Sequence, residues 1–378
     1  MAKRTIAALD ARGKRVLVRV DFNVPIETPP EGPAVVADDS RIRAALPTIV
    51  ALRENGAMIA LCSHLGRPKG ADRKLSLAQV AKRTAELLGV PVPLAHDCVG
   101  PETARRVRDL GPGEVLMLEN VRFHPEEEQN DPAFAALLAD GFDAYVNDAF
   151  GAAHRAHAST EGVAHLLPAY AGLLLDKEVR VLTSLLESPA RPFVAVIGGA
   201  KVSSKIDVLK SLVAKADVLA IGGGMANTFL AATGTDIKAS LGEPDREADA
   251  RLILSAAKAR GALVLLPVDM RWSGDRILDI GTETERQFAA RIAAAGTVFW
   301  NGPMGLFEQP EYAHGTEAIA RAMAGSSAVT VVGGGESVQA LEHLGLADRM
   351  THVSTGGGAA LELIEGKKLP GVEAIPNA

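Results

Sequence analysis

Lys201 and Lys205 stand four residues apart in GGAKVSSKI, directly after the apolar run PFVAVI. With a helix starting near Val202, both ammonium groups fall on one face beside a strand end. There they could bracket a phosphoryl group in transit, whereas Lys210 and Lys215 suit a solvated helix face. Glycine clusters recur in the same half of the chain, as GGAK (198–201), GGG (222–224), NGPMG (301–305), GGG (333–335) and GGG (356–358). Gly-rich turns ahead of helices let backbone N–H groups reach phosphate oxygens at the positive helix end. One such turn is weak as a signal, but five in one half are hard to explain as turns alone. None has the Walker A spacing, and none is a clean G-x-G-x-x-G with an acid about 20 residues on. Glu308 and Glu336 are acids beside these turns, where a carboxylate can take ribose hydroxyls or Mg²⁺.

The first half carries different chemistry. Asp21 and Asn23 lie in RVDFNVP, His64 and Arg67 in SHLGRP, Arg122 in LENVRFH, Arg155 in AHRAH and Arg41 in DDSRIRAALP. Arginine suits bidentate binding of phosphate and carboxylate. Any one of these arginines alone reads as exposed surface. Several from separate strand ends, in a chain of net charge -6, point to one small, multiply anionic ligand. His154 and His157 have no third donor at a useful spacing, so no metal is expected of them. One half thus reads as built for an anionic small molecule and the other for a nucleotide, which together suggest phosphoryl transfer.

The elements that must position these residues follow one repeated phrase: a β-branched apolar run, a glycine or polar stop, then an amphipathic helical pattern. The runs are 15–24, 57–66, 114–123 and 143–151, then 192–201, 217–224, 262–270, 297–305, 328–335 and 352–358. Helical patterns such as 77–89 and 204–216 lie between them. Near-continuous apolar strands alternating with helices indicate parallel sheets covered on both faces. Ten strands fit two α/β domains better than one sheet or an eight-stranded barrel. The helical pattern 173–187 is broken by Ser188-Pro189-Ala190-Arg191-Pro192 and reads as the connector. Ligands of open α/β sheets collect at the carboxyl ends of strands, where the unusual residues sit.

Composition bounds the rest. The 378 residues allow two or three domains, and the acidic balance offers no field for nucleic acid. Aromatics at 4% are too few for a base-stacking surface. Cys62 and Cys98 form no metal-spaced pair and read as free thiols of a cytoplasmic protein. The first residues lack the apolar core of a secretory signal, and no run approaches the ~18 residues of a membrane span.

The blocks RVDFNVP, SHLGRP, LENVRFH, YVNDAFGAAHRAHAS, GGAKVSSKI, IGGGMANTF, FWNGPMGLFE, VVGGGES and STGGGAALELIEGKKLPGV closely resemble the signature blocks of phosphoglycerate kinases. They run in family order from near residue 15 to the C-terminus. The resemblance implies two Rossmann-like domains joined by a helix, with a cleft between them. On it, residues 1–172 would bind 3-phosphoglycerate, 173–188 would be the interdomain helix, and 189–359 would bind nucleotide. Residues 360–378 would pack back on the first domain. It implies reversible transfer of the acyl phosphate of 1,3-bisphosphoglycerate to ADP with Mg²⁺, in a cytoplasmic monomer without nucleic-acid or membrane partners. Asp21, Asn23, Arg41, His64, Arg67, Arg122 and Arg155 would hold 3-phosphoglycerate. Gly199, Ala200, Gly223, Gly224, Asn301, Pro303, Glu308, Gly334, Gly335 and Ser337 would surround the nucleotide. Lys205 would contact its phosphates, and Lys201 would follow the transferring group. The amides of Gly356, Gly357 and Gly358, with Arg41, would meet that group in flight.

Two departures stand out. The family usually has Asp after the three glycines as the metal ligand, and here it is Glu336, one methylene longer. Mg²⁺ demands near-octahedral geometry, so the longer arm is expected to shift the ion or to hold it through water. The family commonly has an acid between the two lysines, where this chain has Ser204. Activity is expected to survive both. The segment 27–39 has no clear family signature. A non-catalytic nucleotide-binding scaffold of the same fold would predict erosion at Lys201, Arg41 or residues 356–358. A kinase of another acid would predict changes in the Arg/His set. Neither pattern is present.

Overall fold

The computed structural model describes residues 2–30 and 32–378. Two parallel sheets organise it. Numbered in chain order, the first holds β1 (Arg15–Arg19), β2 (Met58–Cys62), β3 (Val115–Met117), β4 (Ala144–Asn147) and β5 (Ala169–Ala171). The second holds β6 (Phe193–Ile197), β7 (Val218–Ile221), β8 (Leu263–Leu265), β9 (Thr297–Asn301), β10 (Val329–Gly333) and β11 (His352–Val353). The spatial orders are β3-β2-β1-β4-β5 and β8-β7-β6-β9-β10-β11, with every neighbouring pair parallel. The α/β class with two doubly wound sheets is what the alternating pattern predicted. The sequence reading missed β5, whose three residues are too short for a periodic signal. It also missed the antiparallel ribbon Met270–Ser273/Arg276–Ile280.

The strands are apolar because helices cover both faces of each sheet. FVAVI of β6 and TVFWN of β9 are buried throughout. β2 is likewise buried along its whole length. β1 breaks the rule, since Arg19 is only 1% exposed inside an otherwise aliphatic strand. Burying a guanidinium without partners costs several kcal/mol, so this residue must be compensated.

The chain divides into two compact units, Met1–Arg180 with Lys368–Ala378, and Val181–Lys367. The division falls inside the helix Leu173–Glu187. The start of that helix is held in the first unit, where Leu174 and Leu175 N–H donate to Asp148 Oδ1 at 2.9 and 3.1 Å. Leu173 N–H donates to Thr48 Oγ1 at 2.9 Å. The C-terminal segment lies against the same unit. Gly371 N–H donates to Ala153 O at 2.9 Å, and Asn147 Nδ2 donates to Gly371 O at 3.1 Å. Residues 360–367, with the helix Gly358–Ile364, group with the second unit. Among the described residues no helix is long and apolar enough to cross a membrane.

Each strand order reverses once, between β1 and β4 in the first sheet and between β6 and β9 in the second. Strand order reversal opens a crevice outside the carboxyl ends of the two strands, the usual ligand position in such sheets. The chain leaves β1 into Asp21 and Asn23 and leaves β4 toward Arg155. It leaves β6 into Gly198–Lys201 and β9 into Gly302–Gly305.

Candidate functional site

At the first switch point a cationic cluster surrounds one histidine. His64 is 5% exposed, and burial pushes its pKa well below the ordinary value, followed by the charges of Arg19, Arg122, Arg155 and Arg41. It is therefore neutral at physiological pH. Its Nδ1 lies 3.1 Å from Arg19 Nη2, and a guanidinium can only donate, so Nδ1 is the acceptor and Nε2 carries the proton. The ring thus keeps a donor at Nε2 in a field of four arginines.

Arg19 is held on every side. Its Nε donates to Ser159 Oγ at 2.7 Å and its Nη1 to Val20 O at 2.6 Å. The Ser159 hydroxyl donates to Glu127 Oε1 at 2.6 Å, and Ser159 N–H donates to Glu127 Oε2 at 2.8 Å. Glu127 is fully buried, and burial raises its pKa while Arg19 pulls it back down. Arg19 and Glu127 oppose each other's charge, while Arg41 is paired with Asp21 at 2.9 Å and Arg122 with Glu128 at 3.2 Å. Arg19, Ser159 and Glu127 were not found by sequence reasoning. A charged residue inside the run VLVRV was the signal available for Arg19.

The other expected residues are placed as follows. Arg41 donates through Nη1 to Asp21 Oδ2 at 2.9 Å, with a third of its side chain exposed. Asn23 Oδ1 accepts from Gly66 N–H at 2.8 Å, and Arg122 Nη1 donates to Gly66 O at 2.7 Å, so both fix the SHLGRP turn. Asn120 caps the short turn that carries Arg122, accepting from Arg122 N–H. Arg67 is exposed, and Arg155 half-buried beside His154. Burial, and after it the arginines, lower His157 to about 4, so it also adds no charge at neutral pH.

At the second switch point the glycines divide into two kinds. A Cβ on Gly198 would lie 2.1 Å from Pro303 O, and one on Gly222 would lie 2.4 Å from Met304 Sδ. Gly223 has φ +67°, and its Cβ would meet Gly199 N and O at 2.7 Å. These glycines let three strand-end loops touch backbone to backbone. Gly335 and Gly357 are the opposite case, since among the described residues no atom lies within 4 Å of where a Cβ would stand. Their backbones are open to a ligand. The glycine clusters thus serve both packing and approach.

Lys205 corrects one expectation. The helix begins at Ile206, not near Val202, and Lys205 is its N-cap with φ -134°. The turn before it is set by Ser204 Oγ donating to Lys201 O at 2.8 Å and by Ser203 N–H donating to Glu243 Oε2 at 2.9 Å. The two lysines therefore do not share a helix face. Lys205 turns inward, donating to Gly198 O at 2.7 Å and Asn301 O at 3.2 Å, the carbonyls that flank the switch point. Burial lowers its pKa to about 8, against the pull of Glu336. Lys201 stays exposed.

A cavity of about 190 Å³ opens beside these loops. Gly199, Ala200, Gly223, Gly224, Pro303, Glu308 and Glu336 line it, and Leu241, Met270, Ile277 and Leu306 give it an apolar wall. Much of that wall comes from the antiparallel ribbon, which the sequence reading did not find. Asn301 is buried with no partner for Nδ2 among the described residues, and Gly334 is packed against that atom. Ser337 is fully buried and accepts from Gly302 N–H at 2.6 Å, so it holds the 301–305 loop in shape. Gly335 and Glu336 are exposed at the first turn of the helix Gly335–His343. Gly357, at φ +45°, precedes the helix Gly358–Ile364. An apolar slot beside exposed amides, a buried lysine and oxygen-donor acids suits a base, phosphates and a cation in that order.

The family model described as phosphoglycerate kinase matches residues 6–367. The chain belongs to the phosphoglycerate kinase family. The phosphoglycerate kinase of Moorella thermoacetica is 54% identical over 99% of both chains, and that of Anaeromyxobacter sp. is 55% identical over the same shares. Among solved structures, the phosphoglycerate kinase from Coxiella burnetii superposes with a TM-score of 0.88 at 39% identity, covering 98% of both chains. The one from Pyrococcus horikoshii gives 0.83 at 31%, again over 98% of both. Kinase and transferase chemistry of the glycolytic type is thus the family's.

Proposed function

We propose that the chain catalyses reversible phosphoryl transfer between 1,3-bisphosphoglycerate and ADP, giving 3-phosphoglycerate and ATP. The observation that carries this reading is the arginine cluster around neutral His64, in the same chain as a glycine-lined slot holding Lys205. The first unit binds 3-phosphoglycerate through Asp21, Asn23, Arg41, His64, Arg67, Arg122 and Arg155. His64 donates from Nε2 and the arginines neutralise the ligand's negative charge. The second unit binds the nucleotide, its base against the apolar wall and its phosphates at Gly335, Gly334 and Lys205. Glu308 takes a ribose hydroxyl.

Phosphoryl transfer needs alignment and charge neutralisation more than covalent help. Arg41, Lys201 and the amides of Gly357 and Gly358 cover the equatorial oxygens of the group in flight. The carboxylate of 3-phosphoglycerate is the acceptor, attacking in line with the departing ADP oxygen. Direct transfer requires the two ligands to meet with water excluded, so the reading includes a closing step. Glu336 is an exposed carboxylate on the slot, and one carboxylate with water and phosphate oxygens is a donor set that fits Mg²⁺. The ion supplies neutralisation of the phosphate oxygens when bound. The reading includes a cytoplasmic monomer, because one chain carries both sites.

Turnover of 3-phosphoglycerate with ATP, followed across a Mg²⁺ titration for the wild type and Glu336→Asp, tests this. Turnover whose Mg²⁺ requirement shifts on shortening the side chain is the expected result. Tight ADP binding with no turnover at any Mg²⁺ level would make the chain a nucleotide-binding scaffold instead.

A further inference from the structure

Away from both switch points, three side chains of different chemistry converge on the first unit. Asp97, Cys98 and His124 each offer a donor atom, and the three atoms lie within 4.8 Å of one another. Among the described residues no other group of three His, Cys, Asp or Glu side chains does so. They come from two segments joined by β3. Ala95 N–H donates to Met117 O at 2.7 Å, which lays the segment before Asp97 along that strand. The chain leaving β3 passes through the capped turn Val121–Phe123 directly into His124.

We propose that Asp97, Cys98 and His124 form a binding site for a zinc-type transition-metal ion. A thiolate, an imidazole and a carboxylate are the donor set that selects Zn²⁺ or Co²⁺ over Mg²⁺. Two anionic donors also match the charge of a divalent ion. Zinc bonds of 2.0–2.3 Å in a tetrahedron put donor atoms roughly 3.3–3.8 Å apart. The present separations run from 2.7 Å, between His124 Nε2 and Asp97 Oδ1, to at most 4.8 Å. Side-chain rotations of about 1 Å would therefore close the set. The His124 ring is already fixed against Phe134, with centroids 5.1 Å apart.

The site has an entrance. Asp97 and His124 line a cavity of about 810 Å³, through which water can reach the fourth position. Glu119 borders the same cavity, but Ser76 Oγ, Leu77 N–H and Asn120 N–H already donate to it. Cys98 is buried and borders a separate cavity with Val99 and Pro101 rather than this one. Burial pushes its thiol well above the ordinary value, so the metal-free group is protonated. Binding forms metal–sulfur and metal–nitrogen bonds as the S–H proton leaves to solvent and the proton between His124 Nε2 and Asp97 Oδ1 gives way, leaving the imidazole protonated at Nδ1, with no change of oxidation state. His124 sits two residues after Arg122, so an ion here would stiffen the turn that carries a proposed substrate arginine.

Titration of the full chain with Co²⁺ in the presence of excess Mg²⁺ tests the site. One equivalent should produce the intense visible bands of tetrahedral cobalt and a near-ultraviolet thiolate-to-cobalt band, both removed by Zn²⁺. Cys98→Ser should abolish the thiolate band. Asp97→Asn and His124→Ala should weaken Co²⁺ binding about 10–100-fold or more. If Cys98→Ser fails to fold, the other two variants, at partly exposed positions, carry the test. A missing thiolate band, a band that survives Cys98→Ser, or unchanged affinity in both Asp97→Asn and His124→Ala would overturn the assignment.

Discussion

Two glycine substitutions separate packing from ligand approach. In Gly223→Ala, the φ of +67° strains an L-residue by about 1–2 kcal/mol. The new methyl would also meet Gly199 N and O at 2.7 Å and Pro303 O at 2.8 Å. These are backbone atoms that cannot swing aside, and overpacking of this kind adds about 1–3 kcal/mol. The total is about 2–5 kcal/mol, or roughly 4–20 °C in the melting temperature of a unit of this size. Gly335→Ala is different, because nothing lies within 4 Å and the residue already starts a helix. It should gain about 0.5 kcal/mol of stability. Yet its methyl stands where a phosphate would approach the amide, and one lost charge-assisted hydrogen bond of about 1.5–3 kcal/mol weakens ADP roughly 10–100-fold. Both tryptophans, Trp272 and Trp300, lie in the second unit, so their fluorescence follows its unfolding separately from the first. Calorimetric titration gives ADP affinity. An unaltered melting temperature in Gly223→Ala, or unaltered ADP affinity in Gly335→Ala, would refute the division of the glycines.

Three further outcomes are expected. Lys205 titrates near 8 when folded against 10.5 unfolded, so the unfolded chain binds more protons between these values and stability rises with pH across that window. ADP binding near pH 8.5 should therefore take up a proton, seen as buffer-dependent binding enthalpy, and Lys205→Met should abolish the uptake. Asp148 is raised by burial to about 6 from 3.8, so the folded state binds more protons, and its contribution is full below about pH 3.8 and lost as pH rises through about 6. Asp148→Asn should flatten that fall, worth at most about 3 kcal/mol, and a wild-type-minus-variant difference that is constant from pH 4 to 7 would exclude it. Arg41→Ala should lower kcat about 10²–10³-fold, the size of one lost transition-state donor, and a rise confined to the KM for 3-phosphoglycerate would make Arg41 a binding residue only.

Much of this protein was legible along the chain. The apolar runs marked ten of the eleven strands of the two parallel sheets, because a strand buried on both faces must be apolar almost throughout. The helix Leu173–Glu187 matched its periodic pattern, bounded by the prolines after it. The cationic residues and glycine clusters are visible as residue types, and charge and missing side chains are properties of single positions. Whether a given residue faces a ligand is not such a property.

That second question was answered only by packing between distant segments. Arg19 reads as one odd residue in a strand, and becomes the hub of a buried network through Ser159, 140 positions away. The tautomer of His64 follows from Arg19, and its neutrality from burial and the arginines around it. Lys205 looked like the partner of Lys201 on a helix face and instead reaches Asn301, 96 positions on. Gly223 and Gly335 are the same letter in the sequence. One is required by a neighbouring backbone at 2.7 Å, and the other is bordered by open space. Residue type and local period are written in the chain order. Burial, close approach and the field at a side chain are sums over atoms that only the folded chain brings near.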